Sequence, residues 1–442
     1  MSNIPQLVAT DYHRVTMRLL NTALRGANAL GLARIGLDQD GLLARAKKET
    51  GLGDFGDDSF LQPMQLLLQA LREEADLNPV GRFMNQANIL RILKHRLYVQ
   101  DLLTRHPEIL DRSIPDPVVI VGLARSGTTR LHRLLASDTH FLHLKAWETV
   151  YPVPYPDCFT ARAAGRPDPR IKALDRGLQA VLYMSPQIAA VHPLGTFEVE
   201  EEVGLIQHGF SSQLFEIQAR IPTFAEWLMS HDQTAAYEYM ALLLKVISWF
   251  RNDPVHKPWI LKTPQHMQDL DALLHVFPNA KLICSHRDPI KAVGSACSMT
   301  WNAIVRDSDS VTADWVGQEW LGKTERMLHK TLRVRDEMAV GHNQYDIQYA
   351  DITADWQRAI EGVYNFLELP FTEQARTAMQ SWQNGNRQHQ HGSHKYSLTQ
   401  FGLDQNDVER RLRFYRERFS IPLETTNPHI AAATGDSITE SS

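Results

Sequence analysis

Residues 118–131 have the sequence Val-Val-Ile-Val-Gly-Leu-Ala-Arg-Ser-Gly-Thr-Thr-Arg-Leu. The first four are apolar, which is typical of a buried parallel strand, and leucines at helical spacing follow Thr128. Gly122 and Gly127 bound the turn between the strand and the helix. A loop of this kind turns its backbone amides toward an anion, and the helix dipole favours negative charge there. The stretch therefore predicts a phosphate-binding loop.

The cation of this loop differs from that of a magnesium-dependent nucleotide-binding loop. The spacing from Gly122 to Gly127 is that of a P-loop, but Thr128 occupies the position of the Walker A lysine. The positive charge is Arg125, inside the loop. We therefore expect the loop to bind a phosphate-like group without the usual arrangement of magnesium and nucleotide.

A second segment, residues 281–295, continues an apolar strand pattern into Arg287-Asp-Pro and a helix that carries Ser295. A guanidinium presents a planar pair of donors to a phosphate, and a serine hydroxyl adds another donor. Together with residues 125–129, this segment resembles sulfotransferases that use PAPS (3′-phosphoadenosine 5′-phosphosulfate). In that family an arginine and a serine at this separation bind the 3′-phosphate, which distinguishes PAPS from ATP.

The resemblance covers nearly the whole chain. Within the family, the chain is similar to the long-chain bacterial branch. It implies an α/β fold, in which a three-layer P-loop-type core contains a parallel sheet of about five strands. It also implies an enzyme that transfers the sulfuryl group of PAPS, in line and without a metal, to a hydroxyl or amine of a small-molecule acceptor, leaving PAP.

The same resemblance implies which residues bind the donor. The loop residues would hold the 5′-phosphosulfate, Arg287 and Ser295 the 3′-phosphate, and Tyr349, in a strand-end Tyr-x-x-x-Tyr-x-Asp segment, would approach the adenine. Basic residues of the segment 387–395 would reach the 3′-phosphate from a C-terminal loop. The implied cofactor-binding residues are Arg125, Ser126, Gly127, Thr128, Thr129, Arg287, Ser295, Tyr349, His394 and Lys395.

A lysine ends another strand pattern, and the general base is left open among three residues. Lys262 follows Trp-Ile-Leu at a position where a magnesium-dependent enzyme usually has a carboxylate, which favours a site without metal. Arg125 and Lys262 are the expected catalytic cations. His266 lies two residues beyond the position of the family's catalytic histidine, whereas Glu201 and His192 lie in an acidic segment further upstream.

The chain is divided by composition into three parts. Residues 1–112 have apolar stripes at helical spacing and are predicted to form a helical N-terminal region, which either only packs on the core, shapes the acceptor pocket or forms a homodimer surface. Residues 113–430 alternate strand and helix patterns, as a parallel sheet requires. Residues 431–442 are polar and patternless, and we expect a disordered tail.

Bulk composition excludes several classes of protein. The 442 residues carry a formal net charge of −5, which argues against a nucleic-acid binder. No apolar run approaches the roughly 20 residues of a membrane span, and the N-terminal residues lack a signal-peptide pattern. Three cysteines without C-x-x-C spacing predict no disulfide framework. These features predict a cytoplasmic protein.

The sequence is also consistent with two other functions. A P-loop kinase of a small molecule would use the spacing from Gly122 to Gly127, although Thr128 and Lys262 argue against it. A non-catalytic scaffold that binds nucleotide is consistent with the unassigned base and the long helical N-terminal region. The identity of the acceptor does not follow from the sequence.

Overall fold

Four strands form one parallel sheet in the computed structural model, which describes residues 7–30, 35–188, 195–337, 343–386 and 397–424. The strands are β1 (Val118–Val121), β2 (Ile260–Lys262), β3 (Lys281–His286) and β4 (Gln344–Gln348), in the order β2-β1-β3-β4. Because all pairs are parallel, the carboxyl ends of the strands meet at one edge. The loops after β1, β2 and β3 are therefore neighbours, as ligand sites of such sheets require.

Helices cover both faces of the sheet, which explains why every residue of β1 is buried and apolar. Val119 and Val121 belong to a hydrophobic cluster with Leu243 and Val293. Val118 and Ile120 belong to a different cluster, with Leu131, on the opposite face. The predicted three-layer α/β core is confirmed.

The described strands number four, where about five were expected. The next edge position, beside β2, holds a single parallel bridge between Leu142 and Trp259. The chain leaves the sheet after that bridge because its next backbone groups pair elsewhere. Ala146 donates to the carbonyl of Glu198 at 2.9 Å, and the carbonyl of Leu144 accepts from Glu200 at 3.0 Å. The fifth strand is thereby reduced to one residue.

The N-terminal region is helical, as predicted, with α1 (Val15–Ala29), α2 (Gln39–Thr50), α3 (Leu61–Glu73) and α4 (Pro79–Arg105). The side chain of Asn78 caps α4 by accepting from the amide of Gly81 at 2.8 Å. Leu67 and Leu93 lie in one hydrophobic cluster with Phe210 and Phe224 from the middle of the chain. These helices thus pack on the segment that follows the acidic residues 200–202.

The remaining α-helices connect and flank the strands. They are α5 (Thr128–Leu135), α6 (Ala146–Val150), α7 (Pro156–Ala163), α8 (Pro169–Met184), α9 (Val203–Ile206), α10 (Leu214–Gln218), α11 (Pro222–Ser230), α12 (Thr234–Arg251), α13 (Leu270–Val276), α14 (Pro289–Ile304), α15 (Ala313–Glu337), α16 (Tyr349–Ala354), α17 (Trp356–Phe366), α18 (Glu373–Gly385) and α19 (Gln405–Arg418). Across the described ranges, none of the helices has both the length and the apolar character needed to cross a membrane. Cys158, Cys284 and Cys297 are buried thiols that form no disulfide.

A buried carboxyl group lies below the loop that follows β2. Asp269 is fully buried, and its Oδ2 accepts from the side-chain amide of Gln265 at 2.9 Å. Gln265 in turn accepts from the amide of Gln213 at 2.9 Å and donates to the carbonyl of Ser211 at 2.7 Å. Burial raises the pKa of Asp269 to about 7. In the folded protein, the carboxyl group of Asp269 is therefore mostly protonated below about pH 7.

We expect Asp269→Asn to make the protein less sensitive to alkaline pH. Because the pKa of Asp269 is higher in the folded than in the unfolded chain, its contribution to stability is present below about pH 4 and lost as pH rises through about 7. Relative to wild type, the free energy of unfolding of Asp269→Asn should rise by on the order of 2 kcal/mol between pH 5 and pH 8.5. Urea unfolding at both pH values measures this, and a difference that does not change with pH would contradict it.

Candidate active site

The loop after β1 is held in shape by two serine hydroxyls. Ser126 donates from its hydroxyl to the carbonyl of Leu123 at 2.7 Å, and Ser285 of β3 donates to the carbonyl of Ser126 at 2.7 Å. Arg125 and Gly127 have left-handed backbone conformations, with φ of 71° and 86°. A non-glycine residue persists in that region only where its surroundings hold it. The shape of the loop is therefore set by its contacts with the sheet edge.

Tyr349 and Arg287 pack on this loop. A Cβ atom at position 127 would lie 2.6 Å from a ring carbon of Tyr349, so the close approach requires Gly127. The guanidinium of Arg287 lies 4.1 Å from the centroid of the Tyr349 ring, and Arg287 donates to the carbonyl of Arg125 at 2.8 Å. Two predicted donor-binding residues and the predicted loop thus meet at one place.

Arg287 holds a carboxylate with two hydrogen bonds. Its Nε and Nη2 donate to the two carboxylate oxygens of Glu424 at 2.7 and 2.8 Å. The amide of Glu424 donates to Asp288 at 2.8 Å, which fixes the glutamate beside the arginine. A guanidinium that binds carboxylate in this manner has the geometry that also suits a phosphate. The residues present fit an anionic group at this position.

Lys262 connects the loop to the acidic segment. It is the last residue of β2, and its side chain is 2 % exposed. Its ammonium donates to the hydroxyl of Thr129 at 3.1 Å and forms an ion pair with Glu201. Its backbone amide donates to Glu202 at 2.9 Å. A buried cation therefore lies between the anion-binding loop and a carboxylate.

His266 has both ring nitrogens engaged within the protein core. It is fully buried, with Nδ1 2.9 Å from the hydroxyl of Tyr237 and Nε2 2.5 Å from a carboxylate oxygen of Glu202. Burial alone would raise the pKa of Glu202, but hydrogen bonds from His266 and from the amide of Lys262 hold that pKa below its ordinary value. His266 and Glu202 thus form a buried polar pair beneath Lys262.

Glu201 faces a large cavity that opens beside the loop. The cavity has a volume of about 510 Å³, within the range of sites for small molecules. Arg125, Thr129, Glu201 and Lys262 line one part of it, whereas His266 does not contribute to its wall. The Glu201 side chain is 17 % exposed, so its carboxylate is accessible from the cavity.

The other walls of the cavity are mostly apolar and come largely from helices. Helix α4 of the N-terminal region contributes, as do α8, α14 and α15. Of the alternatives for the N-terminal region, the structure therefore supports a part in shaping the pocket. The apolar wall residues include Met84, Leu174, Leu178, Val181, Met299, Ala303, Trp320 and Met327.

The remaining predicted site residues fall into two groups. Thr128 is buried at the start of α5, and Ser295 is nearly buried on the second turn of α14. The others lie outside the described residues; these are His192, Arg387, His394 and Lys395.

Several residues of the site could not be identified from motifs in the sequence. Glu424, the partner of Arg287, lies far away in the chain and in no motif. Arg91 of α4 lines the cavity although it lies in a segment without phosphate-type motifs. Tyr237 contacts His266, and this contact has no signal in the sequence. His132 of α5 is buried, and burial lowers its pKa to about 3.

Comparisons with known proteins identify the family to which the chain is similar. A model of the sulfotransferase family matches residues 117–373. The solved structure of sulfotransferase STF1 from Mycobacterium tuberculosis H37Rv is similar, with 29% sequence identity, a TM-score of 0.73 and coverage of 86% of this chain and 99% of that one. Sulfotransferase STF9 from Mycobacterium avium is 25% identical, with a TM-score of 0.76 and coverage of 88% and 98%. No curated protein sequence matches the chain.

Proposed function

The chain belongs to the sulfotransferase family, and we propose that it uses PAPS to sulfate a small molecule bound in the cavity beside Glu201. One observation carries the assignment of this site. The ammonium of Lys262 lies between Thr129 of the anion-binding loop and the carboxylate of Glu201 at the cavity wall. This contact supports the assignment because it places the proposed cation and the proposed base side by side, next to the loop proposed to bind the donor.

The donor contacts follow from the groups that converge on the loop. The amides of residues 127–129 and the hydroxyls of Thr128 and Thr129 bind the 5′-phosphosulfate, with the exposed side chain of Arg125 beside it. Arg287 and Ser295 bind the 3′-phosphate, and Tyr349 contacts the adenine. His394 and Lys395 stay as predicted contacts to the same phosphate.

Sulfuryl transfer requires a base at the acceptor and a cation at the leaving oxygen. PAPS supplies the sulfuryl group, and the oxygen that bridges to its phosphate gains charge as the S–O bond breaks. Glu201 accepts the proton of the attacking hydroxyl or amine. Lys262 and Arg125 offset the charge that develops on the bridging oxygen.

Glu201 is preferred over His266 as the base because of accessibility. A base must reach the proton it removes, within hydrogen-bond distance or through one water. Glu201 lines the cavity, whereas His266 is enclosed between Tyr237 and Glu202. His266 acts as a positioning residue, since it holds Glu202, which accepts from the backbone amide of Lys262.

Calorimetric titration with PAP and with ADP, both without magnesium, tests this function. PAP is expected to bind at least tenfold more tightly than ADP, because only PAP has a 3′-phosphate for Arg287. Arg287→Ala should remove on the order of 2 kcal/mol of PAP binding. Arg411→Ala, which breaks an ion pair with Glu325 away from the site, is the matched control. Equal affinity for PAP and ADP in wild type would contradict the proposal and favour a kinase.

We expect Glu424→Gln to tighten PAP binding by about two- to tenfold. The carboxylate of Glu424 must leave Arg287 before a 3′-phosphate binds there, and a neutral amide competes less strongly. The measurement is the Kd for PAP, with Glu325→Gln as the control for loss of a similar arginine partner. Weaker PAP binding by Glu424→Gln would mean that Glu424 positions Arg287 instead of competing with the phosphate.

A further inference from the structure

Arg91, a half-buried residue of α4, presents its positive charge to the cavity without a carboxylate partner among the described residues. Its guanidinium donates to the carbonyl of Val150, to the side-chain oxygen of Asn88 at 2.6 Å and to that of Gln207 at 3.3 Å. It also lies 5.5 Å from the centroid of the Tyr151 ring. All of these partners are neutral, and all of them line the same cavity as Arg91.

Two other enclosed arginines, by contrast, have their charge offset by a carboxylate. Arg306, which also lines the cavity, forms two hydrogen bonds of 2.7 Å with the carboxylate of Asp307. Arg170 similarly holds Asp168. A buried cation is costly unless an anion accompanies it. Burial indeed lowers the pKa of Arg91 to about 10. Removal of its guanidinium from water is therefore not offset by a neighbouring anion.

The cavity between Arg91 and Glu201 is suited to an apolar body. Its walls carry aliphatic, methionine and tryptophan side chains from α8, α14 and α15. These side chains favour an apolar body over a sugar, whose hydroxyl groups would lose hydrogen bonds to water against them. The volume of about 510 Å³ holds a molecule larger than the reacting group alone. Three wall residues are Leu178, Met299 and Trp320.

We propose that the acceptor is an amphipathic alcohol with an anionic group, whose hydroxyl approaches Glu201 and whose negative group pairs with Arg91. The proposal deepens the function proposed above and rests on it. The anionic group is a carboxylate, sulfate or phosphate, since a guanidinium binds each of these with the same donors. Arg91 is thus a specificity-determining residue for the acceptor.

Binding of two matched probes in the presence of saturating PAP tests the proposal. The probes are 12-hydroxydodecanoate and 1,12-dodecanediol, which share the chain and one hydroxyl but differ in a negative charge. Wild type should bind the carboxylate about 10- to 100-fold more tightly than the diol. Arg91→Gln should abolish this preference, and Arg91→Lys should keep most of it. The control is Lys94→Gln, which removes one positive charge from the outer side of α4 and should leave the preference unchanged.

Three outcomes would overturn the proposal. Equal binding of the two probes to wild type would mean that the cavity recognises no anion. A preference that survives in Arg91→Gln would assign the carboxylate to another cation, such as Arg125 or Lys262. Failure of both probes to bind would exclude an apolar body. Binding of PAP alone, measured in the same titrations, reports separately on the proposed function, which stands if PAP binds whatever the probes do.

Discussion

Glu201→Gln is expected to lower kcat by about 10²- to 10⁴-fold while PAP binds with nearly unchanged affinity. Glutamine has the shape of glutamate and keeps a hydrogen-bond acceptor, but it does not take up the acceptor's proton. The charge of Lys262 remains, so donor binding and the electrostatic part of catalysis are retained. Steady-state transfer from PAPS to an identified acceptor measures kcat, and calorimetry measures the affinity for PAP.

The same change at Glu198 provides the control. Glu198 lies three residues earlier and pairs with Arg133 at 3.1 Å, with a half-exposed side chain. Glu198→Gln should therefore leave kcat within about twofold, since a surface pair contributes little. If Glu201→Gln retains full activity, the base is another group, and His266 or His192 becomes the next candidate.

Lys262→Met should lower kcat by about 10²- to 10³-fold. Methionine fills similar space in the buried position but has no charge to offset that on the bridging oxygen. Because this charge develops mainly as the S–O bond breaks, KM for PAPS should change much less than kcat. Initial rates over a range of PAPS concentrations separate the two parameters, and a thermal melt confirms that the variant is folded.

Lys257→Met is the matched control for the lysine. Lys257 precedes β2 and donates to the carbonyl of Thr139 at 2.6 Å, away from the loop. Its replacement should leave both kinetic parameters nearly unchanged. A loss confined to KM in Lys262→Met would mean that Lys262 binds PAPS in the ground state and takes no part in the transition state.

The strand, turn and helix that form the proposed phosphate site were predictable because their determinants are local. A strand, a glycine-bounded turn and a helix start occupy residues 118–131, and each has its own residue pattern. Lys262 was recognisable in the same way, as a charge at the end of an apolar strand. The rule that parallel strands end at one edge then brings these segments together without further information.

The catalytic base was not predictable from the sequence. Glu201, His192 and His266 all satisfied the chemical requirement. Which carboxylate of residues 200–202 faces the cavity depends on how this segment crosses the end of β2. Lys262 contacts Glu201 through its ammonium and Glu202 through its backbone amide. Glu201 lines the cavity and Glu202 does not, so the packing of this segment against the end of β2 decides which of these two carboxylates is accessible.

The sequence by itself therefore determined the family, the three-layer fold and the position of the loop that we propose binds the donor, because these depend on periodicity and on short motifs. Only the tertiary structure decided the walls of the acceptor cavity, the partner of Arg287 and the accessibility of Glu201. Arg91 meets Gln207, and Arg287 meets Glu424, across long stretches of chain. Such contacts follow from the packing of whole helices and loops against the sheet, which no local pattern encodes.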